Sequence, residues 1–594
     1  MSPALSRPRK FVWGLLIAIV LTAGLLLALE GLLRLAGIGY SARFHRTERD
    51  ERGEVWIREN RWVTAPYFSR DRVRRPLPFR LRAEKPASAF RIFVLGSSAA
   101  MGDPEPSFSI ARVLEELLDE AYPEVEFQVV NAGITAVNSH VVRHIAEDVA
   151  ELSPDLFIVY EGHNEVIGPF GPGTVFTPFF RSPHAIRLMD TLQRTRLGQV
   201  TRSIFRGSSD AGEWGGMAMF LGQEISFDDP RLDLVRDAFR ANLEAIADAA
   251  ADVGATTFLC TVLTNQRDFA PFLSRHRAGL DAAQLAEWET CVQAGDAEVA
   301  AGRVQAAEEQ YRRALAIDDQ HAELVFRLAR LVLGQRRLDE ARTLFQRALD
   351  LDALRFRTDS SLNGIIRGLE GEGIQIVDLE AVAADASAGG IIGEEFLLEH
   401  VHLNFAGTYL VARTLFDRVG ELLEAQGRVA AARSEALPVD EVRSRLGYTA
   451  YEQALIIREL IDRYSKPPFT GQADHAQRMQ AMRVADTTAS RLLNRPEAPA
   501  ALAQMYADAV GRDPGDWILC RNAGMALVAL GDPTQAIDYL ERARQIIPDD
   551  PPTLFSLGLA YQKTAHDSEA ADAFDALHAL EPDYPGLAAR ATDD

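Results

Sequence analysis

Lysine is nearly missing from this 594-residue chain: only Lys10, Lys85, Lys466 and Lys563 occur, and almost all of the 63 basic residues are arginine. That reads as codon bias rather than chemistry. Cysteine is scarcer still. Cys260, Cys291 and Cys520 are far apart and odd in number, which gives neither a metal-ligand spacing nor a disulfide framework and predicts three buried thiols. Positive charge is also in deficit. Asp and Glu number 85, and the net charge of -22 excludes a nucleic-acid partner, because binding a phosphate backbone rests on concentrated Lys and Arg.

What is present is ordinary for folded protein, 47% hydrophobic and 25% charged, in a chain too long for one core. Phe11 to Leu29 is uncharged and apolar. At helical rise such a run spans roughly 28 Å, close to the ~30 Å of a bilayer's hydrocarbon core. It exceeds the ~7–15 residues of a signal-peptide apolar region, and no A-x-A cleavage pattern follows it at once. We therefore expect a retained membrane anchor over residues 11–36 behind a cytoplasmic tail, 1–10, with Glu30 and Arg34 pairing one turn apart. Arg7, Arg9 and Lys10 precede the run and Arg34, Arg43, Arg46, Arg49 and Arg52 follow it, so basic counting does not settle its orientation.

After a juxtamembrane segment, 37–88, strands and helices alternate. Ile92–Leu95, Phe127–Val130, Leu156–Val159, Thr257–Leu263 and Ile374–Val377 are short apolar runs, the pattern of strands buried on both faces. Amphipathic stretches, such as Ile110–Tyr122 and Leu232–Ala251, lie between them. The fold class predicted is α/β, a flavodoxin-like doubly wound parallel sheet, with ligands at the carboxyl ends of its strands.

The gap before the fifth strand is too long for a crossover, and it holds a repeat. Ala307, Tyr311 and Ala314 recur 34 residues later as Ala341, Phe345 and Ala348. Near the C-terminus Gly524, Ala536, Leu540 and Pro548 recur at the same spacing as Gly558, Ala570, Phe574 and Pro582, and Tyr506, Ala509 and Pro514 fit a preceding unit. The period and residue types resemble the tetratricopeptide repeat, a helix-turn-helix solenoid that implies a protein partner. The sheet domain is thus expected at 89–280 and 353–426, with inserted repeats at 281–352. A helical bridge without evident chemistry follows at 427–485, then C-terminal repeats at 486–590.

Four short blocks each follow or close a strand-like apolar run, the first three of them at strands of that sheet: Gly96-Ser97-Ser98-x-x-x-Gly102, Asn131-Ala132-Gly133, Gly162-His163-Asn164-Glu165 and Glu399-His400-Val401-His402. Glycine permits a tight turn after a strand, and a serine placed there faces the cleft. The α/β-hydrolase elbow G-x-S-x-G is not matched, since position 100 is alanine. In order and spacing the blocks resemble those of the SGNH (GDSL-like) hydrolase family. The resemblance implies a nucleophile at Ser98, a general base at His402, and Glu399 to orient it. It also implies an oxyanion hole from Ser98, Gly133 and Asn164, with no metal and no cofactor. Three acid positions depart from the family pattern: Ser97 and Glu399 stand where Asp is usual, and Glu165 likewise. His400 competes for the role of base, but only His402 has the family spacing.

The resemblance implies an anchored hydrolase with its bulk in the periplasm or cell exterior, acting on a small ester or the O-acyl groups of a carbohydrate. Two alternatives stand beside it: a polysaccharide O-acyltransferase using the same residues, and a repeat scaffold with an inactive sheet domain. Three further features have plain structural readings. His140 and His144 share a helix face but lack a third ligand. Arg355 and Arg357 fit ion pairs at a domain seam better than an acidic substrate. The loop Gly168–Gly173 is either a pocket wall or surface.

Overall fold

The computed structural model describes residues 7–50, 52–69, 72–205, 215–429 and 435–587. A helix, Arg7–Leu35, opens the chain. Its stretch Trp13–Leu35 is long and apolar enough to cross a membrane, with its side chains outside the protein core. Glu30 and Arg34 pair at 2.8 Å near its end, as expected. Most of the tail at 1–10 lies outside the described residues. A small antiparallel sheet follows, β1 (His45–Arg49), β2 (Val55–Glu59) and β3 (Arg80–Arg82), in sequential order.

The central sheet has five parallel strands: β4 (Ala89–Gly96), β5 (Glu126–Asn131), β6 (Leu156–Tyr160), β7 (Thr256–Cys260) and β8 (Ile374–Val377). Their spatial order is β5-β4-β6-β7-β8. The apolar runs are continuous because both faces are covered. Phe93, Leu95, Phe157 and Val159 pack with the helices Ser139–Ala150 and Arg231–Ala251 on one side. Ile92, Val94 and Ile158 pack with Ile110–Ala121 and Phe405–Ala425 on the other. β7 ends three residues earlier than its apolar run. There the backbone leaves the ladder for side chains: Val262 N–H donates to Asn363 Oδ1 and Leu263 N–H to Tyr160 Oη, both at 3.0 Å.

The inserted segment forms four helices, Ala282–Ala300, Val304–Ile317, Ala322–Gly334 and Leu338–Leu351. Its repeating Ala307, Tyr311, Ala314, Ala341, Phe345 and Ala348 are all buried. The C-terminal array runs through Ala498–Arg512, Trp517–Leu530, Pro533–Ile546, Pro551–Lys563 and Asp567–Leu580. Small residues are required where its helices touch. A Cβ at Gly524 would stand 2.4 Å from Leu540, and one at Gly558 2.4 Å from the Phe574 ring. The bridge is helical, Val439–Arg445, Ala450–Tyr464 and His475–Leu493. The last of these runs through the boundary expected at 485, so the repeats join the bridge without a break. All three cysteines are buried free thiols.

Candidate active site

Ser98 starts a four-residue helix, Ser98–Met101, at the carboxyl end of β4. The turn into it depends on Gly96, whose φ of 156° and approach to Tyr160 O leave a Cβ only 2.1 Å from that oxygen. His402 comes from the loop before the helix Phe405–Ala425, and its Nε2 stands 2.8 Å from Ser98 Oγ. Its Nδ1 is 2.6 Å from Glu399 Oε1. With Nδ1–H held by that carboxylate, Nε2 is left as the acceptor facing the serine. The structure thus brings the three residues together.

The longer glutamate is accommodated by a tight turn around its own carboxylate. Glu399 Oε1 also accepts the backbone N–H of His402, at 2.8 Å, and of Val401, at 3.3 Å. The turn is closed by Leu398 N–H donating to His402 O at 2.8 Å and by a bridge between Leu397 and Leu403. His400, the competing histidine, turns its Nδ1 to the other oxygen, Oε2 of Glu399. Its ring lies among Phe269, Phe272, Phe356 and Phe469. Burial holds its pKa well below the ordinary value.

The expected oxyanion donors divide. Ser98 and Asn164 both line the cavity at the serine. Asn164 donates one amide hydrogen to Val137 O at 2.8 Å, and an amide nitrogen carries two. Gly133 does not line the cavity. Its N–H donates to Asn131 Oδ1 at 3.0 Å, because the Asn131 side chain turns back at the end of β5, its Nδ2 donating to Met101 O at 3.0 Å. Ser97, in the place of the usual Asp, is fully buried. Behind it Glu161 and Glu165 form a buried acid pair. Burial raises both, with the charge of Glu165 adding to the effect on Glu161. Glu165 accepts from Ser139 N–H and Oγ–H at 2.8 and 2.7 Å.

Two site residues carry no family signal. Asp103 Oδ2 stands 3.4 Å from His402 Nε2, and the carboxylate takes a two-pronged contact from Arg463 of the bridge. Burial works against the charge of Asp103, but His402 and Arg463 outweigh it and hold its pKa below the usual value. Burial pushes His402 down to about 4, with Asp103 raising it and Arg463 lowering it further. The imidazole is therefore neutral at pH 7, as a general base must be. The bridge, expected to carry no chemistry, forms one wall of this site. Asp103 had a local signal, its place five residues after Ser98; Arg463 had none.

The cavity measures about 520 Å³. Ile167, Phe176, Met217, Phe220, Phe356 and Phe469 form its apolar side, while Arg74, Asp103, Glu459, Asp462, Arg463 and Lys466 rim it. Residues Gly168 to Gly173 do not line it; Phe170 of that loop is buried in the core. Arg355 and Arg357 are buried in ion pairs with Asp359 at 3.2 Å and Asp352 at 2.9 Å. His144 pairs with Glu147 at 2.8 Å and with Asp190, and His140 takes Asn242 at 3.1 Å. No group of three or more metal-ligating side chains suited to an ion occurs among the described residues.

Comparison with known proteins defines the helical segments. Residues 298–356 and 488–551 match models of the tetratricopeptide repeat, so both arrays are of that repeat class. No curated protein matches the chain. Among solved structures, the tetratricopeptide protein YrrB, with an unusual peptide-binding site, is 12% identical with a TM-score of 0.17 and covers 53% of this chain and 99% of its own. TTC0263, a thermophilic tetratricopeptide protein of Thermus thermophilus, is 14% identical with a TM-score of 0.16, covering 52% and 97%. The TPR2AB domain of yeast Sti1 in complex with pHSP90 is 13% identical with a TM-score of 0.15, covering 52% and 96%. At these TM-scores none of the three carries an argument about this chain.

Proposed function

We propose that this chain is a membrane-anchored serine hydrolase of the SGNH type, with its bulk outside the cytoplasmic face, cleaving O-acyl esters of a carbohydrate or small ester. The observation that supports it is the continuous relay from Ser98 Oγ through His402 to Glu399, open to a cavity. Ser98 Oγ attacks the ester carbonyl carbon as His402 Nε2 takes its proton. The carbonyl electrons move to oxygen, where Ser98 N–H and the Asn164 amide donate to the oxyanion. Collapse expels the alcohol, which takes the proton from Nε2, and leaves acyl-Ser98. Water, deprotonated by His402, then attacks the acyl carbon, and the serine leaves with the proton. A sugar hydroxyl in place of that water makes the same chemistry an acyl transfer. Glu399 holds the imidazole in the productive tautomer and stabilises the imidazolium.

A second reading is a repeat scaffold without turnover. The comparisons favour it, since what they match is the two repeat arrays. The two readings separate on turnover of a 4-nitrophenyl acyl ester and of an acetylated polysaccharide by the full chain in detergent. The hydrolase reading expects release of acid that Ser98→Ala abolishes, and that Glu399→Gln lowers by about 10⁴-fold, the scale of losing the orienting carboxylate. No release of acid by the wild type would leave the scaffold, and full activity in Ser98→Ala would put the nucleophile at Ser97 or outside this block.

A further inference from the structure

Between β6 and the helix Arg231–Ala251 the chain leaves the sheet, and part of this excursion is a helical hairpin, Pro183–Arg194 and Arg196–Phe205. The hairpin is fastened to the end of the N-terminal apolar helix. Glu30 accepts the backbone N–H of Arg196 at 3.1 Å and of Leu197 at 2.9 Å. Glu30 lies little more than one turn before the last helical residue, Leu35, roughly 7 Å along the axis. Just beyond, the backbone of Tyr40 is clasped by the Gln199 side chain, at 2.9 and 3.1 Å, and its ring stacks on Trp62. Tyrosine and tryptophan are enriched at the membrane–water boundary.

The first helix buries Ile186 and Asp190 and turns Leu188 and Leu192 outward, 62% and 47% exposed; Ile204 on the second is 71% exposed. Arg181 and Arg187 are exposed beside these leucines, and neither is in an ion pair among the described residues. Leu32 and Leu35 of the apolar helix are exposed next to the same structure. A face with apolar side chains in the middle and basic ones at its margin, lying against the end of a spanning helix, matches an interfacial helix on an anionic lipid surface.

We propose that the hairpin Pro183–Phe205 lies in the headgroup layer of the bilayer that holds the Trp13–Leu35 helix. The proposal rests on reading that helix as a retained anchor. It gives the sheet domain a second hold on the membrane and fixes its orientation. The same excursion carries Phe176 and Phe220, which line the cavity at Ser98, so the seated hairpin would set the cavity's apolar side close to the lipid surface.

The test uses the full chain in nanodiscs of phosphatidylcholine and phosphatidylglycerol. The native cysteines are buried, so nitroxide labels report single sites at Leu188→Cys and Ile204→Cys. Leu21→Cys within the span and Val299→Cys on the exposed surface of the inserted repeats serve as references. The expected result is a ratio of oxygen to water-soluble nickel chelate accessibility at 188 and 204 well above that at 299 and below that at 21, the value of a site at headgroup depth. If 21 meets lipid while 188 and 204 resemble 299, the hairpin is not docked and the proposal is wrong. If 21 also resembles 299, the anchor reading has failed and the proposal with it. Shielding of 188 and 204 that persists in detergent together with dimerisation would make a second copy the occupant and equally overturn it.

Discussion

At the scale of single residues, the site turns on how charges around one imidazole are arranged. His402 faces Asp103 at 3.4 Å and, through it, Arg463. Burial is the largest influence on His402 and brings it down to about 4. A base works only when neutral, so kcat/KM for ester hydrolysis should stay level from pH 7 through the ordinary histidine range and fall near pH 4. Asp103 favours the imidazolium, and it stays ionised there because its own pKa is held low. Asp103→Asn should therefore move the acid limb to lower pH, read from initial rates across pH 3.5–8. A limb centred on the unperturbed value of about 6.5, unmoved by the substitution, would show that the buried arrangement does not govern the base. Ser98, His402 and Glu399 were legible in the sequence through the resemblance of their blocks to those of the SGNH family; only the Ser98 block sits at a strand end, the other lying in a loop well past β8. The oxyanion expectation was less complete: Gly133 has the right neighbours in sequence, but its N–H is taken by the Asn131 side chain, a conformation no spacing encodes.

At the scale of elements, apolar run length located all five strands of the central sheet, and a fixed period located both repeat arrays. These signals are local. β7 alone was overread, because Val262 and Leu263 remain apolar after their backbone has turned to Asn363 and Tyr160. The bridge was legible as helix but not as part of the site. Its helix Ala450–Tyr464 has the composition of an ordinary packed helix, and Arg463 becomes meaningful only when tertiary structure sets it against Asp103, 360 residues away. Arg463 lowers the pKa of His402 whereas Asp103 raises it, so the two positions should act with opposite sign. Arg463→Ala should shift the acid limb of kcat/KM to higher pH and, by leaving Asp103 without its charged partner, lower stability by about 2 kcal/mol in urea titration. Shifts of the same sign in both variants would contradict this arrangement.

At the scale of the whole molecule, the C-terminal repeats are joined to the rest of the chain by polar contacts. Asp516 pairs with Arg112 of the sheet domain, Arg521 donates to Ser107 Oγ at 3.0 Å, and Asp549 pairs with Arg58 of the small sheet. These contacts lie away from the cavity at the serine, which is lined on this side by the bridge through Glu459, Asp462, Arg463, Lys466 and Phe469. Such long-range docking has no signature in one sequence, since neither partner of Arg112–Asp516 is unusual where it stands. The repeats can hold a protein partner under either reading, and whether that partner serves an enzyme depends on Ser98 being a working nucleophile. The measurement that tests this most directly is fluorophosphonate labelling of the full chain in detergent, with the modified peptide mapped by mass spectrometry. The account predicts one label per chain, on Ser98, lost in Ser98→Ala and in His402→Ala. A folded wild-type protein that takes no label, or carries it on another residue, would contradict it.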